Sequence, residues 1–442
     1  MRKFINMRTE LPGPIAKSML DRRIAAVARA PYHTLLSFIH HAHGAILTDV
    51  DGNTFIDFAG AIGTLNVGHS PKQVTDAIHA QIDQYIHTCF HVVMYEPYIE
   101  LAETLNKLTP GDVEKKTMFF NSGAEAIENA IKVAKRFTKR RGVISFERGF
   151  HGRTYMALSL TSKNKPYKTG LGPFLTDTYK CPYPDYYHMG SLSEDALDDH
   201  LLQRIEQMFL TEIPVYDIAC VVMEPEQGEG GFIVPSQKFV KGIKALCERY
   251  GMLFISDEIQ SGFGRTGKFF AIEHHDVVPD LITMSKSIAA GMPLSALTGR
   301  ADVMDAADIG EIGGTYGGSP VSCAAALEVI KLIHSENLLE RAVELGNQVR
   351  LRLTGLQNTH DFIGDIRGLG SMLAIEIVKD PTTKMPDSER TNRIIKYALD
   401  HGLIILTAGI YGNVIRLLYP LVISDEQLQE GLDVLAEAIE HS

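Results

Sequence analysis

Hydrophobic positions along this chain fall into two textures. From about residue 117 to about 325, short apolar runs alternate with helical stretches, and the runs at 117–120, 143–146, 219–223, 252–256 and 281–284 read as strands. Continuous apolar runs bounded by turns are the signature of strands covered on both faces. Between the first two, residues 125–137 carry Ile127, Ala130, Ile131, Ala134 and Phe137 at helical spacing, with Lys and Arg gathered toward the end as the helix dipole prefers. The alternation predicts an α/β fold with a largely parallel sheet and helices on its faces. After about 325 the texture changes to longer helical stretches at 327–334 and 336–356, strands at 371–378 and 414–418, and a last helix from Asp425, which predicts a smaller α+β lobe. In the first 60 residues, "AILTDVDGNTFIDF" carries Asp51-Gly52 between alternating segments, a hairpin signal. This hairpin is expected to pack with the small lobe.

Composition narrows the class. With 442 residues, 45% hydrophobic and 22% charged, the chain is ordinary globular protein, which argues against disorder, collagen-like repeats and coiled coil. The net charge of -11 argues against nucleic acid and anionic membranes as partners and leaves small molecules. Five scattered cysteines without a C-x-x-C pair fit neither a disulfide framework nor a zinc knuckle, and suit a reducing compartment. No uncharged apolar run approaches the roughly 18 residues of a membrane span, so a soluble cytoplasmic protein is expected. His40, His41, His43 and the pair His274-His275 lack ligand spacing and acid partners, and no metal is expected.

Three stretches carry candidate chemistry. In "FFNSGAEAIENA" (119–130) a strand runs through Ser122-Gly123-Ala124 into a helix, where free N–H groups and the helix dipole could hold a phosphate. A capping box between Ser122 and Glu125 explains the same letters without a ligand. In "MLFISDEIQSGFGRTGKFF" (252–270), Asp257 and Glu258 stand at a strand end, where α/β sheets place ligand groups and where a cap or ion pair is the plainer alternative. The same stretch spells G-x-G-x-x-G at Gly262, Gly264 and Gly267, followed by Lys268. Phe269 replaces the magnesium-binding hydroxyl of a P-loop and the glycines trail the strand, so this run reads as a loop. In "DLITMSKSIAAGMPLSALTG" (280–299), Lys286 follows a strand among small and apolar neighbours, which favour a neutral amine able to form a Schiff base. Phosphate turn, acid and lysine together match the needs of pyridoxal phosphate: an anion site, a carboxylate for the ring nitrogen and an amine for the aldehyde.

The motifs "FIDFAGAIGTLNVGH", "NSGAEAIENAIK", "GFHGRTYMALSLT", "EPEQGEGGF", "SDEIQSGFGRTGKFFA", "LITMSKSIAAGMPL", "GGTYGGSP", "GDIRGLGSM" and "NVIRLLYPL" resemble those of the class III (ω-) aminotransferases of the fold type I pyridoxal phosphate enzymes. Within that class they are most similar to the bacterial 4-aminobutyrate branch. The resemblance implies a large cofactor domain (61–325) around a mostly parallel seven-stranded sheet, a small α+β domain (326–442), and an N-terminal segment (1–60) packed with the latter. It implies Lys286 and Asp257 as catalytic residues, the first as Schiff-base lysine and proton shuttle, the second at the pyridine nitrogen. Gln260 would meet the phenolic oxygen, Phe150 and Ile259 the ring faces, and Ser122, Gly123 and Ala124 the phosphate. His151 would stand beside the ring stacker. Thr315 would reach the phosphate from a neighbouring subunit, which implies a homodimer or dimer of dimers with shared sites. For the substrate, Arg153 would clamp the distal carboxylate and Arg416 the α-carboxylate of glutamate. Glu229 would neutralise Arg416 when no α-carboxylate is present, Ile62 would supply an apolar wall, and Glu224 would order the polar network.

The expected reaction moves the amino group of 4-aminobutyrate to 2-oxoglutarate, giving succinic semialdehyde and glutamate. Three alternatives stand beside it. The stretches "CPYPDYY", "AAGMPLSA" and "IEIVKDPTTKMPDSE" are also similar to an amino-acid racemase and epimerase branch of the class. An ornithine or 5-aminovalerate enzyme would use the same site, and a non-enzymatic cofactor scaffold would keep the fold alone. Glu226 stands where the aminobutyrate enzymes usually carry an apolar residue, and an extra acid there could alter the charge of the cleft or point away.

Overall fold

Four of the apolar runs become strands buried at every position. In the computed structural model, which describes residues 2–442, they belong to one seven-stranded sheet. Its strands are β1 (Lys115–Phe120), β2 (Gly142–Phe146), β3 (Thr178–Cys181), β4 (Ile218–Met223), β5 (Leu253–Asp257), β6 (Leu281–Met284) and β7 (Ser295–Arg300). The spatial order is β1-β7-β6-β5-β4-β2-β3. Pairings from β3 through β6 are parallel, and β7 runs antiparallel to both β6 and β1. Six strands therefore share one direction and deliver their carboxyl ends to one edge, the arrangement the class implies. The two strands the apolar pattern does not show are β3 and β7. Their sequences, TYKC and SALTGR, break the aliphatic run with polar residues.

The Gly123–Thr138 helix covers this sheet. Ala126, Ile127, Ala130, Ile131, Val133 and Ala134 pack on Val143, Val222, Ile255 and Leu297. Burying Ile127 and Ile131 stabilises by about 1.5–3 kcal/mol apiece. Phe137, grouped with that stripe in the sequence, is instead 37% exposed beneath the Arg300 guanidinium. The helical pattern drifts off the buried face by its last turn, where Lys139 closes it in a left-handed conformation.

The structure divides the chain into two units, Gln73–Glu340 and a second unit made of the chain up to Lys72 with Arg341–Ser442. These limits differ from the expected 60 and 325. The helix Pro320–Ser335 falls with the large sheet because it packs on the Glu96–Leu108 helix and on the Lys286–Ala289 turn. In the second unit the Asp51-Gly52 hairpin pairs Ile46–Asp49 with Thr54–Asp57, and Leu403–Ile404 adds to it in parallel. Glu430 accepts from the backbone N–H groups of Lys3, Phe4 and Ile5, tying the start of the chain to the last helix. A second sheet of Ile363–Leu369, Met372–Ile377, Val414–Leu417 and Leu406–Ala408 shares its core, which includes Phe58, Ile375, Ile415 and Leu435.

Candidate active site

Five parallel strands hand candidate groups to the same sheet edge. Beyond β1 comes Gly123, beyond β2 Phe150 and His151, beyond β4 Glu224, at the end of β5 Asp257, and two residues past β6 Lys286. Ligands of open α/β sheets bind at such carboxyl ends because loops there are free to vary while the sheet holds their roots. A cavity of about 190 Å³ opens at this edge, with Gly123, Ala124, Phe150, Asp257, Ile259 and Lys286 in its wall. His151, Glu224, Glu229 and Gln260 line it too.

Asp257 is held from two sides. His151 Nδ1 donates to Asp257 Oδ2 at 2.8 Å, while Oδ1 accepts from the Ile259 N–H at 3.2 Å. Both side chains are buried. Burial pulls the His151 imidazole down, but the hydrogen bond and charge of Asp257 outweigh it and leave the group above its ordinary value. The pair is thus a charge-assisted bond that keeps a carboxylate pointed into the cavity. Behind it, burial pushes the Glu224 carboxyl up to about 7, against the pull of His151 and of two backbone donors. Those donors are Phe150 N–H at 2.8 Å and Gly228 N–H at 2.9 Å, so Glu224 pins the loop that carries Phe150.

Lys286 begins a short 3-10 turn with φ 48°, the left-handed region that a lysine enters at a cost of order 1 kcal/mol. It is half-buried, and the Ser285 hydroxyl beside it bonds the Leu294 carbonyl at 2.9 Å. This strained corner turns the lysine toward the cavity that Asp257 also lines.

At the β1 end the sequence left two readings open, and the structure contains the capping box. Glu125 N–H donates to Ser122 Oγ at 3.3 Å, and Glu125 Oε2 accepts from Asn121 and Ser122 N–H. The N–H groups of Gly123 and Ala124 have no partner among the described residues and belong to cavity-lining residues. The cap therefore leaves the two N–H groups of Gly123 and Ala124 unspent at the helix start, with Ser122 itself exposed. A Cβ at Gly123 would stand 2.9 Å from Ile259 Cδ1, and one at Gly228 1.9 Å from Gln260 Oε1. Both glycines keep side chains clear of a tight cradle.

Other expected residues lie apart from the cavity wall. Arg153 is exposed, its guanidinium 4.8 Å above the Tyr167 ring, and Thr315 is exposed, its carbonyl accepting from His87 Nε2 at 2.8 Å. Ile62 and Arg416 belong to the second unit. Ile62 is 46% exposed with φ 64°, and Arg416 is buried in the Val414–Leu417 strand opposite Ala374 and Leu406. Glu226 is buried and does not line the cavity. Tyr167 is the residue the motifs do not reveal. It donates to Glu229 Oε2 at 3.2 Å and packs on Phe150, yet it stands in a loop, "KNKPYKTG", with no periodicity to single it out.

The donor set fits a phosphorylated pyridine aldehyde: two unpartnered N–H groups at a helix start, a buried carboxylate held by histidine, and an amine share one cavity. Comparison with known proteins agrees. A family model described as aminotransferase class-III matches residues 27–439. The chain is 56% identical over 393 residues, 89% of its length and 90% of the relative's, to a probable 4-aminobutyrate aminotransferase of Bacillus subtilis (strain 168). It is 45% identical to a 5-aminovalerate aminotransferase of Pseudomonas aeruginosa, covering 96% of this chain and 98% of the relative. Among solved structures, an aminotransferase from Bacillus anthracis superposes with TM-score 0.91 at 30% identity, covering 99% of this chain and 100% of the other.

Proposed function

The chain belongs to the class-III aminotransferases, and we propose that it transfers the amino group of 4-aminobutyrate, or an ω-amino acid of similar length, to 2-oxoglutarate. The products are succinic semialdehyde and glutamate. The family's cofactor, pyridoxal 5′-phosphate, supplies when bound a carbonyl carbon that takes up the amine and a protonated ring that draws electrons from the substrate carbon. Gly123 and Ala124 would hold its phosphate, Asp257 its ring nitrogen and Lys286 its aldehyde.

The remaining work falls to this chain's residues. Lys286 Nζ moves a proton at Cγ of the donor in one half-reaction and at Cα of glutamate in the other. His151 donates to Asp257 and holds it oriented. Arg153 is assigned to the distal carboxylate, which a guanidinium can bind through two parallel hydrogen bonds. It has no carboxylate partner among the described residues, as a group reserved for a ligand requires. Arg416 and Glu229 are assigned the switch between substrates with and without an α-carboxylate.

The observation that carries this reading is the meeting of Asp257, Lys286 and the Gly123-Ala124 turn in one cavity. The purified protein, supplied with 4-aminobutyrate and 2-oxoglutarate, should form glutamate and succinic semialdehyde in equal amounts. Absence of glutamate with every ω-amino acid tried would sink the assignment, and loss of optical rotation from a single-enantiomer amino acid without 2-oxoglutarate would favour a racemase. The relative named for 5-aminovalerate supports a second reading, in which the donor is one carbon longer. Relative kcat/KM for the two donors decides between them.

A homodimer completes the proposal. Ile86, Val92, Val93 and Met94 are 58–77% exposed, and the exposed Thr315 lies beside the exposed Tyr316, which packs its ring against His87. Such apolar exposure needs cover, and light scattering should return twice the chain mass. Five free cysteines, four of them buried, support a reducing compartment such as the cytoplasm. No helix among the described residues is long and apolar enough to cross a membrane.

A further inference from the structure

Tyr167 touches three residues to which the site assigns work. Its hydroxyl donates to Glu229 Oε2 at 3.2 Å, its ring centre lies 5.1 Å from that of Phe150, and the Arg153 guanidinium carbon sits 4.8 Å above its ring. Phe150 and Glu229 line the cavity, whereas Arg153 is exposed, so the aromatic face is what orients a long, free side chain. A guanidinium lying over a ring uses its π face and leaves its in-plane N–H donors available for a carboxylate. The hydroxyl has a different effect. A hydrogen bond from a neutral donor to a carboxylate is stronger than one between neutral groups, so it favours the position Glu229 now occupies.

We propose that Tyr167 is a positioning residue that sets which carboxylates the pocket accepts. Its ring holds Arg153 ready for the distal carboxylate, and its hydroxyl holds Glu229 in the place used with donors that carry no second carboxylate. A dicarboxylate must displace Glu229 and break that bond, so the hydroxyl handicaps glutamate relative to 4-aminobutyrate. This rests on the roles given above to Arg153 and Glu229.

Equilibrium binding separates the two contributions without turnover. Butyrate and glutarate are the unreactive counterparts of donor and product, and calorimetry on the holoenzyme gives their affinities. In Tyr167→Phe, which keeps the ring, the affinity of glutarate relative to butyrate should rise about tenfold, the size of one lost hydrogen bond to a charged group. The ratio of kcat/KM for glutamate to that for 4-aminobutyrate should move the same way. In Tyr167→Leu, butyrate affinity should also fall roughly two- to fivefold, as expected for a lost cation–π contact, and Phe should restore it. A glutarate-to-butyrate ratio within twofold of wild type in Tyr167→Phe, or wild-type butyrate affinity in Tyr167→Leu, overturns the proposal. Should 4-aminobutyrate fail as a substrate while the ratio still shifts, the donor assignment falls and the positioning role stands. Melting temperature confirms that Tyr167→Phe is folded.

Discussion

Two glycine-bearing turns in the large unit look alike as letters and behave oppositely. At Asn121–Ala124 an acid, Glu125, takes up the N–H groups of Asn121 and Ser122 and stops there, leaving Gly123 and Ala124 open to the cavity. At 258–272, the N–H groups of Gly262, Gly264 and Gly267 go to the carbonyls of Glu258, Phe269 and Gly264, and the Glu258 carboxyl oxygens accept from Ala271 N–H, Ile272 N–H and the Ser261 hydroxyl. The first turn leaves two donors unspent at the cavity, while the second satisfies its donors internally. Whether a glycine turn can receive an anion is therefore a matter of which N–H groups neighbouring carbonyls and carboxylates have not consumed, and glycine spacing alone does not report that.

The difference can be tested by substitution, and the largest effect should fall on chemistry. Lys286→Ala should lower glutamate formation by a thousandfold or more, on the order of what loss of a proton-transfer group costs. Lys268→Ala, beside the closed turn and exposed, should leave turnover within about twofold. Equal losses in both would erase the contrast.

Next in size is the acid that fills the closed turn. Glu258→Ala leaves buried donors without an acceptor and should cost about 3–5 kcal/mol in denaturant unfolding. Burial holds the Glu258 carboxyl at about 7, above its ordinary 4.5, despite the donors around it. The folded state then binds the proton more tightly than the unfolded chain, so this contribution to stability is full below pH 4.5 and lost as pH rises through 7. Measured against Glu258→Gln, wild type should lose on the order of 3 kcal/mol between pH 5 and 8. A pH-independent gap would mean that Glu258 is ionised throughout.

The smallest effect belongs to the open turn's cap. Ser122→Ala removes one side-chain acceptor from an exposed helix start and should cost about 1 kcal/mol by the same unfolding measurement. A loss as large as that of Glu258→Ala would show that the two turns are not so different.

Strand-forming runs were legible where they were continuous and aliphatic, as in the IACVVM of β4, because burial on both faces leaves no polar position. Strands β3 and β7 were not, since Lys180 and Thr298 interrupt them. Asp257, Lys286 and the Gly123 turn stand out in the sequence because chemistry restricts residue type, and the structure brings them to one cavity. Tyr167 was not, because a loop tyrosine has no period and its three contacts come from residues 150, 153 and 229.

By itself the sequence determined the class of sheet, the helix that covers it and the residue types a phosphorylated aldehyde needs, since all of these follow from local pattern and side-chain chemistry. Only the tertiary structure decided which N–H groups stay free, that His151 rather than a cation of the lysine or arginine type holds Asp257, and that Glu258 turns away from its neighbour's cavity. The reason is physical: hydrogen-bond satisfaction and burial are sums over neighbours in space, and residues adjacent in order, like Asp257 and Glu258, leave the end of one strand toward different surroundings.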